Sequence, residues 1–190
     1  MHVFIKHGLE CAQKTFRSIN LLEVGLGTGL NACLTFHSSS HEVNYLALEP
    51  YPLSVFEAEA LRYDAFVAME IFRRIHSAPF NEPVEFSPSF RFRKLKATLQ
   101  DFEPAEKFHL IYFDAFAPTA QPELWTQEIF SKLSPWVEPE GVLVTYCAKG
   151  VVKRALTASG FMVHALSGAP GKREMIRAIK KQGNHAGCPV

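Results

Sequence analysis

Two short stretches place acids where apolar runs end. In FDAFAP (residues 113–118) Asp114 follows the apolar run His109–Phe113, and Phe116 and Pro118 stiffen the exit. A carboxylate at the end of a buried strand is costly unless something pairs with it or needs it. The simplest role is a loop Asp capping local amides. In LLEVGLGTG (21–29) Glu23 sits inside the end of an apolar run, just before three glycines. A third acid, Glu49, ends the run Val43–Leu48, twenty residues after Gly29.

Glycines let the backbone approach a ligand and adopt positive φ. The pattern here is G-x-G-x-G, with Leu30 where the dinucleotide fingerprint wants a third glycine. Glu23 would repel a pyrophosphate and hold a ligand that carries an ammonium. Glu49 is placed to accept both hydroxyls of a ribose. An ammonium, a ribose and a glycine loop together describe S-adenosylmethionine better than NAD. An NAD-dependent oxidoreductase and a plain glycine turn with two solvated acids are the competing readings.

The elements that must position these residues alternate in type. Apolar runs at Leu21–Val24, Val43–Leu48, Arg91–Leu95, Leu110–Asp114 and Gly141–Tyr146 read as strands. Helical spacing covers Thr28–His37, Pro52–Tyr63 (with Leu53, Phe56 and Ala60 on one face and a continuation toward His76 left open), Pro122–Leu133 and Val151–Ser159. Gly160 is a C-cap. Residues 77–90 hold three prolines and are expected to be an insertion loop. Phe161–Leu166 and Arg173–Ile179 are two late strands with no clear helix between them, expected to be an antiparallel pair at one edge. The implied architecture is α/β, a mostly parallel sheet with helices on both faces, which binds ligands beyond the carboxyl ends of its strands. The glycine loop, Glu49, Asp114 and Tyr146–Gly150 all fall there.

Composition narrows the classes. The 190 residues, 47% apolar and 21% charged, suit one globular domain with an aromatic-rich interior of sixteen Phe. A net charge of +1 gives no overall signal for nucleic acid, although Lys149, Lys153, Arg154, Lys172 and Arg173, or Arg91, Arg93, Lys94 and Lys96, could form local basic patches. The alternative for both clusters is a solvated surface. Four cysteines without a C-x-x-C pair read as reduced thiols of a cytosolic protein. Cys147 reads as an apolar filler. No histidine spacing suggests a metal, and no run reaches the ~18 apolar residues of a membrane span. The first ten residues are too short and polar for a signal peptide, and HVFI reads as part of a structured segment.

Four segments occur in order: EVGLGTGLN (23–31), FDAFAPxxQPELWT (113–126), TYCAKGxVKR (145–154) and GxPGKREM (168–175). Together they strongly resemble the methyltransferase domain of MnmC and its stand-alone relatives, over nearly the whole chain. The resemblance implies a class I, Rossmann-like S-adenosylmethionine-dependent fold, with a mostly parallel seven-stranded sheet and an antiparallel edge strand. It implies a cytoplasmic enzyme that methylates the amine of 5-aminomethyl-2-thiouridine at the wobble position of tRNA. On it, Glu23, Gly25, Gly27, Thr28 and Gly29 fall on the cofactor loop and Glu49 on the ribose position. Asp114 and Phe116 fall on the catalytic turn beside the transferable methyl, with Asp114 also near the cofactor. Pro118, Lys149, Lys172 and Arg173 fall on the substrate side. No metal is implied. Thr98 stands where relatives often place an acid for the adenine amino group.

A single domain is expected over residues 1–181, with a flexible tail over 182–190. The segment that relatives carry upstream of HVFI is absent, so a shortened form is expected. A methyltransferase for another small amine or a protein remains open, as does an impaired relative that only binds RNA or a partner.

Overall fold

The computed structural model describes residues 2–61, 63, 67–169 and 171–182. The expected tail falls almost wholly outside the described residues.

Eight strands form one sheet: β1 (Ser18–Val24), β2 (Glu42–Leu48), β3 (Val84–Ser87), β4 (Phe90–Leu95), β5 (Phe108–Phe113), β6 (Val137–Thr145), β7 (Phe161–Ser167) and β8 (Glu174–Lys180). Their spatial order is β3-β4-β2-β1-β5-β6-β8-β7. The central five, β4 to β6, are parallel. β8 runs antiparallel to both β6 and β7, so the two late strands form the expected antiparallel pair at one edge. β3, antiparallel to β4, is the eighth strand. It falls inside the expected insertion loop. Four residues among three prolines carry too little periodicity to reveal it, and its pairing with β4 supplies what its own sequence does not.

Side-chain alternation divides the strands between two cores. Leu21, Tyr45, Leu110, Tyr112 and Val142 face one layer, formed by the N-terminal helical segment with α2 (Leu30–Ser38) and α4 (Met69–Ser77). Leu22, Leu46, Ile111, Phe113 and Leu143 face the other, formed by α5 (Gln127–Leu133) and α6 (Gly150–Ala158). Burial on both faces explains the near-continuous apolar runs of the central strands. The N-terminal segment is π-wound over His2–Leu9 and continues as α1 (Glu10–Ala12). Ile5 and Leu9 are buried and the Phe4 ring lies 5.1 Å from that of Tyr112, so HVFI is part of the packed layer.

Local chemistry set two boundaries differently from the periodicity. The helix expected over 52–63 is α3 (Val55–Ala60), started by a Ser54–Glu57 capping box. Ala58 is its buried residue, while Phe56 is 83% exposed, so the expected apolar face does not pack inward. The helix expected over 122–133 is a 3-10 turn, Pro122–Trp125, followed by α5, because the Thr126 hydroxyl accepts the amide of Ile129 and starts a new helix.

Candidate functional site

Parallel β1, β2 and β5 all end on one side of the sheet, and their last residues place three acids together. The glycine loop follows β1, with Gly25, Gly27 and Gly29 at φ +89°, +49° and +72°. At Gly25 a Cβ would lie 2.9 Å from the Asp114 carbonyl oxygen, so two loops touch where only hydrogen fits. At Gly27 a Cβ would meet nothing within 4 Å, and the loop faces open space. The loop is tied down from behind. His76, buried in α4, meets the Thr28 carbonyl oxygen at 3.0 Å. Burial lowers its pKa, and the neutral ring donates that hydrogen bond.

Glu49 is buried and accepts the amides of Gly27 and Tyr51, one on each oxygen, both at 2.8 Å. Each oxygen keeps a further lone pair, so this fixed carboxylate can still receive two hydroxyls.

Glu23 departs from its expected setting. It is fully buried, on the β1 face beneath α2, and does not line the cleft. Its two oxygens accept the Tyr45 hydroxyl at 2.7 Å and the Asn31 amide at 2.9 Å. Burial, opposed by those two hydrogen bonds, pushes its carboxyl up to about 8. Asn31 also donates to Asp114 Oδ2 at 2.9 Å. Asp114 does line the cleft, and burial raises it to about 6 against the downward pull of Asn31 and of nearby Lys172.

The cleft at these groups has a volume of about 590 Å³ and is lined by the glycine loop, Glu49, Tyr51, residues 97–101 and Phe116. That is the size of a pocket for a nucleoside-bearing cofactor, usually about 300–1,000 Å³. Thr98 lies on its wall, but its hydroxyl donates to Asp101 at 2.6 Å and accepts the Asp101 amide at 3.2 Å. Thr98 therefore shapes a turn, and the acid looked for at that position is three residues further on, at Asp101, also on the cleft wall.

A second cavity, of about 460 Å³, lies on the other side of the FDAFAP loop. Ala117, Pro118, Tyr146, Cys147, Lys149, Lys172 and Arg173 are on its walls. Asp114, Ala115 and Phe116 face the first cavity, so this one loop is the partition between the two. The loop is pinned at two successive carbonyls: the Tyr146 hydroxyl donates to the Ala115 carbonyl and the Trp125 indole N–H to the Phe116 carbonyl, each at 2.8 Å. The Phe116 ring itself stays 73% exposed. The Lys172 ammonium lies 4.7 Å from the centre of the Tyr146 ring.

The basic clusters do not survive intact. Lys149, Lys172 and Arg173 are exposed and have no ion-pair partner among the described residues, whereas Lys153 is paired with Glu174 at 2.7 Å. In the second cluster β4 alternation turns Lys94 inward, where its ammonium caps α4 through the carbonyls of Ile75 and His76 at 3.0 and 2.6 Å. Cys147 is buried, in keeping with an apolar filler. Among the described residues no group of three or more His, Cys, Asp or Glu could hold a metal, and no helix is long and apolar enough to cross a membrane.

A five-stranded parallel core extended by an antiparallel strand, with a glycine loop after β1 and an acid after β2, is the Rossmann-like architecture of class I methyltransferases. The chain belongs to a family of S-adenosyl-L-methionine-dependent methyltransferases, whose model matches residues 70–181. It is 29% identical over 199 residues to the tRNA 5-methylaminomethyl-2-thiouridine biosynthesis bifunctional protein MnmC of Burkholderia mallei, covering 92% of this chain and 30% of that protein. Its fold is similar to that of MnmC2 from Aquifex aeolicus, with a TM-score of 0.69, 21% identity and coverage of 100% of this chain and 61% of that one. It is also similar to the N-methyltransferase NodS of Bradyrhizobium japonicum in complex with S-adenosyl-L-homocysteine, with a TM-score of 0.53, 14% identity and coverage of 91% and 83%. The chain thus spans less than a third of the MnmC proteins it matches.

S-adenosylmethionine fits the residues present. The open face at Gly27, the preset acceptor Glu49 and the acid Asp114 line one cleft, the set of groups that a cofactor with a ribose and an ammonium-bearing chain requires. Sequence reasoning missed Asn31, Tyr45 and Asp101. Asn31 and Asp101 lay within a few residues of the positions singled out, but Tyr45, inside an apolar strand, carried no signal at all.

Proposed function

We propose that this chain methylates the primary amine of 5-aminomethyl-2-thiouridine at the wobble position of tRNA. Residues 1–181 would act as one methyltransferase domain, in line with a single continuous sheet. The observation that carries the reading is the Asp114–Pro118 partition, with the cofactor cleft on one face and a cavity bearing Lys149, Lys172 and Arg173 on the other. The MnmC relatives, named for tRNA 5-methylaminomethyl-2-thiouridine biosynthesis, support the identity of the acceptor.

The bound cofactor supplies an electrophilic methyl group. The chain must supply an amine with a free lone pair, aimed in line from about 3 Å. An alkylamine with a pKa of ~10 is mostly protonated at neutral pH, and reaching the neutral form costs about 4 kcal/mol. Asp114, at about 6, is largely ionised at pH 7 and can accept an N–H of the amine, which orients the nitrogen. The raised value also makes it a better temporary acceptor for the ammonium proton than an ordinary aspartate. Phe116, exposed on the cofactor side, offers a ring for a pyrimidine or a screen against water. Lys149, Lys172 and Arg173 would contact RNA phosphates, and Pro118 would fix the wall between the cavities. Glu23 would act on the cofactor's ammonium through Asn31 and Asp114 rather than by direct contact.

The test is methyl transfer from S-adenosylmethionine to tRNA that carries the free aminomethyl group, measured across a salt series. Transfer is expected to that tRNA and not to tRNA with unmodified uridine, with the apparent affinity falling steeply as salt rises. Equal transfer to the free nucleoside or to a small amine, without salt dependence, would establish the small-amine alternative instead. Cofactor binding without transfer to any amine would leave a binding protein.

A further inference from the structure

The hydrogen bonds beneath the cleft converge on a side chain with no assigned role. Asn31, the second residue of α2, donates through one amide nitrogen to Glu23 Oε1 and to Asp114 Oδ2, both at 2.9 Å. Carboxylates accept and do not donate, so the NH₂ end of the amide must face them, one hydrogen to each. The backbone carbonyl of Asn31 accepts the Thr35 hydroxyl at 2.7 Å, and Thr35 meets the buried Tyr112 hydroxyl at 3.2 Å, which ties this turn of α2 to β5.

We propose that Asn31 is a positioning residue for methyl transfer, holding the Asp114 carboxylate ionised and turned toward the acceptor amine by tethering it to the buried Glu23. The inference rests on the reading of Asp114 as the group that meets the amine.

The surroundings of the pair show why an amide is needed there. Asp114 is approached by Asn31 from α2, by Lys172 from the loop before β8 and by Tyr146 from the end of β6. Glu23 is approached by Tyr45 from β2, with Glu49 and Asp114 as like charges. Burial and the nearby Asp114 charge both disfavour ionisation of Glu23, and burial disfavours that of Asp114. Among the described residues Asn31 is the one neutral donor hydrogen-bonded to both, and its hydrogen bond lowers the pKa of each. A side chain with no donor would let Asp114 take up a proton and rotate, and a protonated acid cannot receive the amine's N–H on that oxygen.

The experiment uses Asn31→Ala and Asn31→Ser in the full chain. The first readout needs no turnover: a ¹³C-carboxyl NMR titration of the cofactor-free protein, with the Asp114 signal assigned from its loss in Asp114→Asn. The Asp114 midpoint is expected to rise by about one pH unit in Asn31→Ala, as loss of one hydrogen bond to a charged group requires. Asn31→Ser keeps a small polar residue at the helix start but cannot serve two acceptors, and the same upward direction is expected. The second readout is the pH profile of kcat. A roughly twofold loss at pH 7 that grows toward tenfold near pH 5 is expected, with the acid limb displaced upward by about one unit and the KM for S-adenosylmethionine changed less than about threefold.

A residue that only packs would reduce kcat equally at every pH and leave the midpoint in place. That result in both variants, with an unchanged melting temperature, would overturn the proposal. If the wild-type chain transfers methyl to no amine, the proposed function fails while the NMR titration still decides whether Asn31 holds Asp114 ionised.

Discussion

The two cavities on either side of the FDAFAP loop are built in opposite ways. The cofactor cleft is made of backbone and buried acids: a glycine loop pressed against the Asp114 carbonyl, Glu49 locked by two amides, Glu23 and Asp114 bridged by Asn31. The basic cavity is made of exposed side chains, Lys149, Lys172 and Arg173, on the loops after β6 and before β8, which are neighbours in the sheet. Its order comes from a few ties, among them the Tyr146 hydroxyl on Ala115 and Lys153 on Glu174. The contrast suits a small cofactor of fixed shape on one side and a large polyanion on the other. A preorganised cleft fixes a reacting carbon, while solvated cations hold a phosphate backbone loosely and with strong salt dependence.

Removing the acid of the loop between the two sides should weigh more on chemistry than on binding. Asp114→Ala is expected to lower kcat by at least a hundredfold while cofactor affinity, measured by calorimetry, falls by about tenfold or less, as loss of one contact to an ammonium requires. Turnover that survives would remove Asp114 from its role and leave the partition without a function.

Damage confined to the cofactor side should show first in stability. Gly25→Ala places a methyl against the Asp114 carbonyl at φ +89°, with no flexible neighbour to yield. A loss of about 2–3 kcal/mol and no measurable cofactor binding are expected. Gly27→Ala, with open space above it, should cost about 1 kcal/mol or less in stability and still weaken the cofactor, because its methyl enters the cleft.

Damage on the basic side should leave the cofactor alone. Lys172→Ala and Arg173→Ala are each expected to raise the KM for tRNA by about three- to tenfold. Each should reduce the slope of log affinity against log salt by about one, with the cofactor dissociation constant unchanged. A shift in cofactor affinity in Arg173→Ala would show that the partition does not insulate the two sites.

The smallest effect sharpens the comparison through pH. The Glu23 carboxyl lies at about 8 in the folded protein, above its ordinary 4.5. The folded state therefore holds a proton that the unfolded state has lost, and stability declines as pH rises from about 4.5 to about 8. Glu23→Gln mimics the protonated acid. It should leave the melting temperature unchanged near pH 4.5 and raise it by several degrees at pH 8 in the cofactor-free protein. Equal melting temperatures at both pH values would mean that Glu23 is ionised at little cost.

Much of the cofactor side was legible in the sequence. Glycines with positive φ, acids at the ends of apolar runs and the strand–helix alternation are local signals, and each was read close to its observed place. The errors also have local causes. β3 was read as loop because four residues among prolines show no period, and the helix over 122–133 was joined because Thr126 was not read as a cap. The basic side was legible only as composition. Lys94, Lys153 and Lys172 look alike in the sequence. One caps a buried helix, one pairs with Glu174 and one lies over Tyr146 beside the cavity.

The sequence by itself determined the parallel sheet, the glycine loop and the three strand-end acids, because backbone conformation and hydrophobic periodicity are encoded over a few neighbouring residues. Only the tertiary structure decided that Glu23 lies behind the cleft and Asp114 on its wall, with Asn31 between them. That outcome depends on the register of β1 against β2 and β5 and on the placement of α2 over them, which bring together residues as far apart in the chain as Asn31 and Asp114.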